Sequence, residues 1–367
     1  MKKHVIISVT NDLVTDQRVH KVASSLFQNG YYVTLVGRKL KNSSDLSRPY
    51  KIVRFRLLFN KKVFFYAEYN LRLFFFLLFS TGNIFLSNDT DTLPANFLAS
   101  KLRGRKLVFD AHEMFPEVPE VVSRPVIKKI WTTIEDLIFP KLEYCYTVCR
   151  SIADIYNQKY GISMQVIRNV PESFAIPIKK DLFPTCKKVI FYQGAINIGR
   201  GIEQIIDAMS FIDDAVFYIA GAGDILDSVK LSVREKYLQD KVFFLGRIPL
   251  GKLREYTVCS DLGVCLLENK GKNYYYSLPN RIFDFIHAEV PILATDFPEI
   301  RAIVDSYKVG VLIDHYEPEF LAKTITEIFA TRENNPERKT LFQKAKHDLC
   351  WEKESLVLID IFKKATN

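Results

Sequence analysis

The sequence has no Cys-x2-Cys pair and no histidine cluster, so nothing in it reads as a metal site. Its six cysteines (Cys145, Cys149, Cys186, Cys259, Cys265 and Cys350) are scattered through apolar strand-like or helical patterns, which fits buried free thiols in a reducing cytosol. No apolar run approaches the ~20 residues that span a bilayer. The amino-terminal run Val5 to Val9 is shorter than a signal-peptide core and is broken by Asn11 and Asp12, so it reads as a first buried strand. A basic recognition helix, a zinc pattern and an RNP-like strand are all missing, which argues against nucleic acid as a partner.

What is present is globular: 367 residues, 48% hydrophobic and 25% charged, enough for two domains with sizeable cores. The net charge of +9 is uneven. Arg38, Lys39, Lys41, Arg48, Lys51, Arg54, Arg56, Lys61, Lys62 and Arg72 crowd one stretch against only Asp45 and Glu68. An aromatic and aliphatic series follows, ending in Leu73 to Phe79. A solvated basic loop before a core helix accounts for this pattern; peripheral contact with an anionic membrane also fits it, at roughly 1 kcal/mol per basic residue near the surface.

Apolar strands and amphipathic helices alternate almost throughout, the signature of parallel sheets with helices on both faces. Strands are expected at Val5–Val9, Tyr32–Val36, Ile84–Leu86, Lys106–Phe109, Tyr144–Val148 and Met164–Ile167, then, past a proline-bearing linker, at Val189–Tyr192, Val216–Ala220, Val242–Leu245, Leu262–Leu267, Pro291–Ala294 and Val311–Ile313. The boundaries this implies are a first domain over residues 1–170, a linker over 171–186, a second domain over 187–345 and a terminal helix over 346–367. Two such halves place their ligands at the carboxyl ends of the strands.

Two segments carry phosphate-binding chemistry. Phe191 to Gly201 reads as strand, glycine-bearing loop and helix start, with Gly194, Asn197, Gly199 and Arg200 in the loop; glycines let a backbone approach phosphate closely, and a helix amino terminus favours negative charge. Ser277-Leu278-Pro279-Asn280-Arg281 opens a second helix with Asp284 inside it, offering backbone amides and a helix amino terminus to an anion and a carboxylate to a hydroxylated sugar. Ile219 to Asp224 is a weaker glycine turn.

The run Asp284 to Pro291 resembles the Glu-Ala-Met-Ala-Cys-Gly-x-Pro segment of retaining family 4-type glycosyltransferases, and the stretch before it resembles their Ser-x-Pro-x-Lys variant. The loop 194–201 is similar to the family's Gly-Arg-x-x-x-x-Lys-Gly, with Arg200 at the lysine position and Ala195 at the arginine position. Tyr276 stands where the family has the first Glu of a Glu-x7-Glu pair. The polar turn Thr10 to Arg18 resembles a branch found among bacterial surface-polysaccharide transferases.

The resemblance implies a GT-B fold, two Rossmann-like doubly wound domains facing a cleft, with terminal helices crossing back to the first. It implies a metal-independent transfer, without cofactor, from a nucleoside-diphosphate sugar to a lipid-linked or oligosaccharide acceptor at the cytoplasmic side. His112, after a buried strand, takes the place of a family histidine that points towards the donor sugar. His112, Arg200, Arg281 and Asp284 form the implied catalytic set, and Gly246, Arg247 and Ile248 lie where the base is contacted. Asp16, Gln17, Arg18, Asn88, Asp89 and Glu113 are acceptor-side candidates: Asp16 also caps a helix, and Arg18 is placed to reach a diphosphate or an anionic acceptor. Glu113 and Glu117 keep a sugar-nucleotide epimerase of the same fold open, and Ala195 and Tyr276 keep open a catalytically impaired binding partner.

Overall fold

A computed structural model describes residues 3–332 and 336–366; of the side chains of Lys62, Glu120 and Arg332 nothing is described. The chain divides into two compact units, one ending at Asn169 and resumed at Lys353, the other running from Val170 to Glu352. The last helix, Trp351–Thr366, therefore begins in the second unit and continues in the first.

The first unit is built on seven parallel strands: β1 (His4–Asp12), β2 (Tyr32–Arg38), β3 (Lys51–Phe55), β4 (Ile84–Asn88), β5 (Lys106–Ala111), β6 (Tyr144–Thr147) and β7 (Gln165–Val166). Their order is β3-β2-β1-β4-β5-β6-β7, so the winding direction reverses between β1 and β4. Val5 pairs with Val33 on one side and Ile84 on the other. Helices cover both faces, and Val5, Ile6 and Ile7 are wholly buried, which explains why β1 reads as an unbroken apolar run rather than an alternating one.

Two expectations for this unit are corrected. The basic stretch is not one solvated loop, because Lys51–Phe55 forms the edge strand β3, where Arg54 pairs with Asp12 at 2.9 Å; charged side chains on a sheet edge oppose further strand pairing. The helix Lys62–Phe79 is only half a core helix. Phe65, Tyr69, Leu73 and Leu77 recur at helical spacing and are buried, the last three in one cluster with Ile6, Phe85 and Ala99. Phe64, Leu71, Phe75 and Phe79 lie on the other side and are exposed, Phe79 by 81%.

The second unit has six parallel strands: β8 (Lys188–Gln193), β9 (Ala215–Ala220), β10 (Val242–Gly246), β11 (Leu262–Cys265), β12 (Ile292–Thr295) and β13 (Gly310–Ile313). Their order is β10-β9-β8-β11-β12-β13, with the reversal between β8 and β11. Ile190, Tyr192, Ile202, Ile206, Phe217 and Leu262 anchor its core. Among the described residues no helix is long and apolar enough to cross a membrane, and no group of three or more His, Cys, Asp or Glu is placed to hold a metal. All six cysteines are free; Cys186 is exposed, Cys259 half-buried and the other four buried.

Candidate active site

In the second unit the two phosphate-type segments meet at the carboxyl end of β8. The loop 194–201 is laced to the next strand's turn: the Gly194 amide donates to the Ala220 carbonyl (3.0 Å), Ile196 to Ala222 (3.1 Å), and the Asn197 side chain accepts from the Asp224 amide (3.3 Å). Gly221 has φ +155°, and a Cβ there would stand 1.8 Å from the Gly194 carbonyl oxygen, so the approach requires glycine. Gly246, with φ +66°, ties the third turn in by accepting from Gly221 (2.8 Å); Arg247 beside it is exposed and Ile248 half-buried.

The segment leading to the second helix closes over the same loop. Tyr274 carries Arg200 on its ring, 4.9 Å from guanidinium carbon to centroid, and the Arg200 Nε is buried with no hydrogen-bond partner. The helix Asn280–His287 follows Pro279 with no side-chain cap, and of its first three amides that of Ile282 donates to the Pro279 carbonyl (3.1 Å); Asn280 is exposed, Leu278 is buried and Ser277 donates to the Tyr274 carbonyl. Asp284, one turn in, accepts from Gln193 at 2.8 Å, and Gln193 in turn accepts from Thr257 at 2.7 Å. Phe174 and Arg254 line the same small hollow as Asp284. Gln193, Tyr274, Phe174 and Arg254 are absent from the candidates above: Gln193 ends an apolar strand, Tyr274 stands in an aromatic run, Phe174 lies in the linker and Arg254 reads as a charge on a helix.

Arg281 is more deeply set than a side chain reaching out from a turn. It is 7% exposed, lies 4.7 Å from the Tyr192 ring centroid and donates to the Tyr192 hydroxyl (3.0 Å), the Cys265 sulfur (3.4 Å) and the Leu266 carbonyl (3.4 Å). Its Nη1 is 3.5 Å from where a Gly194 Cβ would be. Among the described residues no carboxylate pairs with it, so a buried guanidinium backs the glycine loop without a counter-charge.

In the first unit the sequence candidates gather at the ends of β1, β4 and β5. Asp16 caps the helix Gln17–Gln28 by accepting from Val19 at 3.1 Å, and Gln17 is exposed. Arg18, expected to reach an anion, is instead 4% exposed and makes a two-pronged pair with Asp110 (2.9 and 2.7 Å) while donating to the Ile167 carbonyl. Asn88, expected at a rim, is fully buried and donates to the Ser8 carbonyl. Both are drawn inwards because the strand ends are rich in polar groups that need partners. Asp89 and Glu113 are partly accessible. Glu117, half of the carboxylate pair of the epimerase reading, is tied to Lys128 at 2.7 Å.

His112 sits between two carboxylates: Nε2 is 3.0 Å from Asp110 and Nδ1 3.1 Å from Asp89. Burial alone would lower its pKa, but the two aspartates raise it well above the usual 6.5. Burial would raise Asp110, yet Arg18 and His112 hold it at about 2. Asp91, buried and facing the charge of Asp89, is pushed up to about 8 against the hydrogen bond from Thr10. Burial likewise carries Glu135 to about 7 despite hydrogen bonds from Thr90 and Tyr156.

Residues 175–348, just under half of the chain, match the family described as glycosyl transferases group 1. Among curated proteins no relative matches the sequence. Solved structures share the fold: sucrose-phosphate synthase from Thermosynechococcus elongatus (15% identity, 99% of each chain, TM-score 0.81) and a glycosyltransferase from Rickettsia africae ESF-5 (13%, 100% of this chain and 99% of that one, TM-score 0.76). The Anabaena protein HepE in complex with UDP-glucose is similar at 12% identity over 98% of this chain and 99% of that one, with a TM-score of 0.74. The fold is thus the two-unit GT-B architecture that these solved glycosyltransferase structures share, and the stretch similar to the group 1 family lies within the second unit.

Proposed function

We propose that the protein transfers a sugar from a nucleoside-diphosphate donor to a saccharide acceptor, with retention of configuration and without a metal. The observation that carries this reading is Arg281. A buried guanidinium without a carboxylate is costly to the folded chain, and an anionic ligand over the Gly194 loop offsets that cost. Arg200, stacked on Tyr274, is the second cation, and the uncapped amino terminus of the Asn280–His287 helix is the third positive element, so a departing diphosphate is neutralised by protein groups. Asp284 takes the ribose hydroxyls. HepE, similar in fold, is described with UDP-glucose, which supports a sugar nucleotide as donor.

The acceptor is a lipid-linked saccharide in polysaccharide synthesis, met at the cytoplasmic face of a membrane. The exposed Phe64, Leu71, Phe75 and Phe79 row beside Lys61 and Arg72 supports this location. A panel of nucleoside diphosphates and their sugars tested by thermal shift, followed by the anomeric coupling constant of the product and transfer in the presence of a chelator, tests the donor, the stereochemistry and the metal independence separately. Loss of transfer on chelation overturns the last of these.

A further inference from the structure

His112 donates in three directions, and all three are taken. Its backbone amide donates to Asp89 Oδ1 at 2.8 Å, its Nδ1 faces Asp89 Oδ2 and its Nε2 faces Asp110 Oδ2. A carboxylate only accepts, so each ring nitrogen must carry a proton, and neither is left to receive or give one to a sugar. Asp110 stays ionised because Arg18 grips both its oxygens.

Asp89 is in a different position. Each of its oxygens uses one acceptor site on His112 and retains another, and its side chain is 16% exposed where that of Asp110 is fully buried. It holds φ +59°, a left-handed backbone that a non-glycine residue adopts at a cost, and its amide is pinned to the Asp110 carbonyl at 2.8 Å. It is also the first residue after β4, beside the reversal between β1 and β4, where open parallel sheets receive ligands.

We propose that Asp89 is the group with which the first unit holds a hydroxyl of its saccharide substrate, and that His112 is a positioning residue that fixes this carboxylate from a ring closed between Asp89 and Asp110. The proposal rests on the glycosyltransfer reading above for the identity of the ligand, and on geometry alone for the clamp. The charged and titratable groups around the ring are Asp89 and Asp91 from the turn after β4, Asp110 from β5, Arg18 from the first helix with Tyr146 of β6 on its guanidinium, and Glu113 next in the chain.

The test uses the full chain and two readouts. Nitrogen-proton spectra of the histidines, with His112 assigned by its loss in His112→Gln, are expected to show both ring nitrogens protonated at pH 8 in the wild type and a ring proton released at lower pH in Asp89→Asn, where only Asp110 still holds the ring. In steady-state transfer, Asp89→Asn is expected to lower kcat/KM for the saccharide about tenfold to 100-fold with nucleoside-diphosphate affinity unchanged. His112→Ala should follow it, and His112→Gln, which keeps an amide donor, should recover part of the loss. A wild-type His112 that releases a ring proton near its usual value overturns the clamp. Saccharide kinetics indifferent to Asp89→Asn overturn the hydroxyl contact. If nucleoside diphosphate binds but no saccharide is transferred, the function reading and the contact fail together while the spectra still decide the clamp.

Discussion

At the residue scale three side chains of the second unit carry the donor site proposed above. Asp284→Asn is expected to weaken donor binding while leaving the melting temperature unchanged, because the amide still accepts from Gln193 but no longer holds ribose hydroxyls as a carboxylate. Titration calorimetry with the donor checks it, and equal affinity in a folded variant contradicts the assignment. Arg200→Ala should slow transfer, raising the barrier by roughly 2 kcal/mol or more if the side chain meets charge that develops in the transition state. The loop and helix that carry Arg200 and Asp284 were readable in the sequence, because a glycine-bearing turn and a proline before a helix fix local backbone context. The depth of Arg281 was not, since its burial comes from Tyr192 and Cys265 on two other strands. Arg18 misled for the same reason: a polar turn says nothing of Asp110, ninety-two residues on, which captures it.

At the scale of elements, strand and helix alternation was readable because buried parallel strands are near-continuous apolar runs. The strand β3 escaped because an edge strand carries the charges of a loop. The helix Lys62–Phe79 escaped in part because apolar residues fill both its faces, so periodicity could not separate the buried row from the exposed one. The exposed row yields a prediction. The protein should bind anionic vesicles more than neutral ones, more weakly as salt rises, and Lys61→Glu with Lys62→Glu should lower both vesicle binding and transfer to a lipid-linked acceptor while donor hydrolysis persists. Equal partitioning onto both kinds of vesicle would leave the row as a surface that simply faces water. Gly221→Ala is a second test at this scale: a Cβ 1.8 Å from the Gly194 carbonyl must displace the loop, so donor affinity should fall even where the fold survives.

At the scale of the molecule, stability should depend on pH through the buried carboxyls of the first unit. Asp91 keeps its proton up to about 8 when folded but loses it near its ordinary 3.8 when unfolded. The unfolded chain therefore binds fewer protons between those values, and stability falls as pH rises through that window; Glu135, raised to about 7, acts in the same direction. Asp110, lowered to about 2, contributes stability above 3.8 that is lost as pH falls towards 2. Denaturant midpoints should thus be highest in mild acid and decline towards pH 8, and Asp91→Asn, which still accepts from Thr10, should flatten the decline. A midpoint that climbs steadily from pH 5 to 8 would contradict the burial of Asp91 as a neutral acid.

The central claim is that the Gly194 loop, backed by a buried and unpaired Arg281, is a diphosphate site. The most direct measurement is the melting temperature of wild type and Arg281→Met with and without nucleoside diphosphates. A ligand at about 100 times its dissociation constant adds about 2.7 kcal/mol, a shift easily read. At least one nucleoside diphosphate is expected to stabilise the wild type, whereas Arg281→Met, which gives up the bonds to Tyr192, Cys265 and Leu266 along with the charge, is expected to gain nothing from that ligand. A variant that still responds to nucleoside diphosphate as the wild type does would contradict the claim.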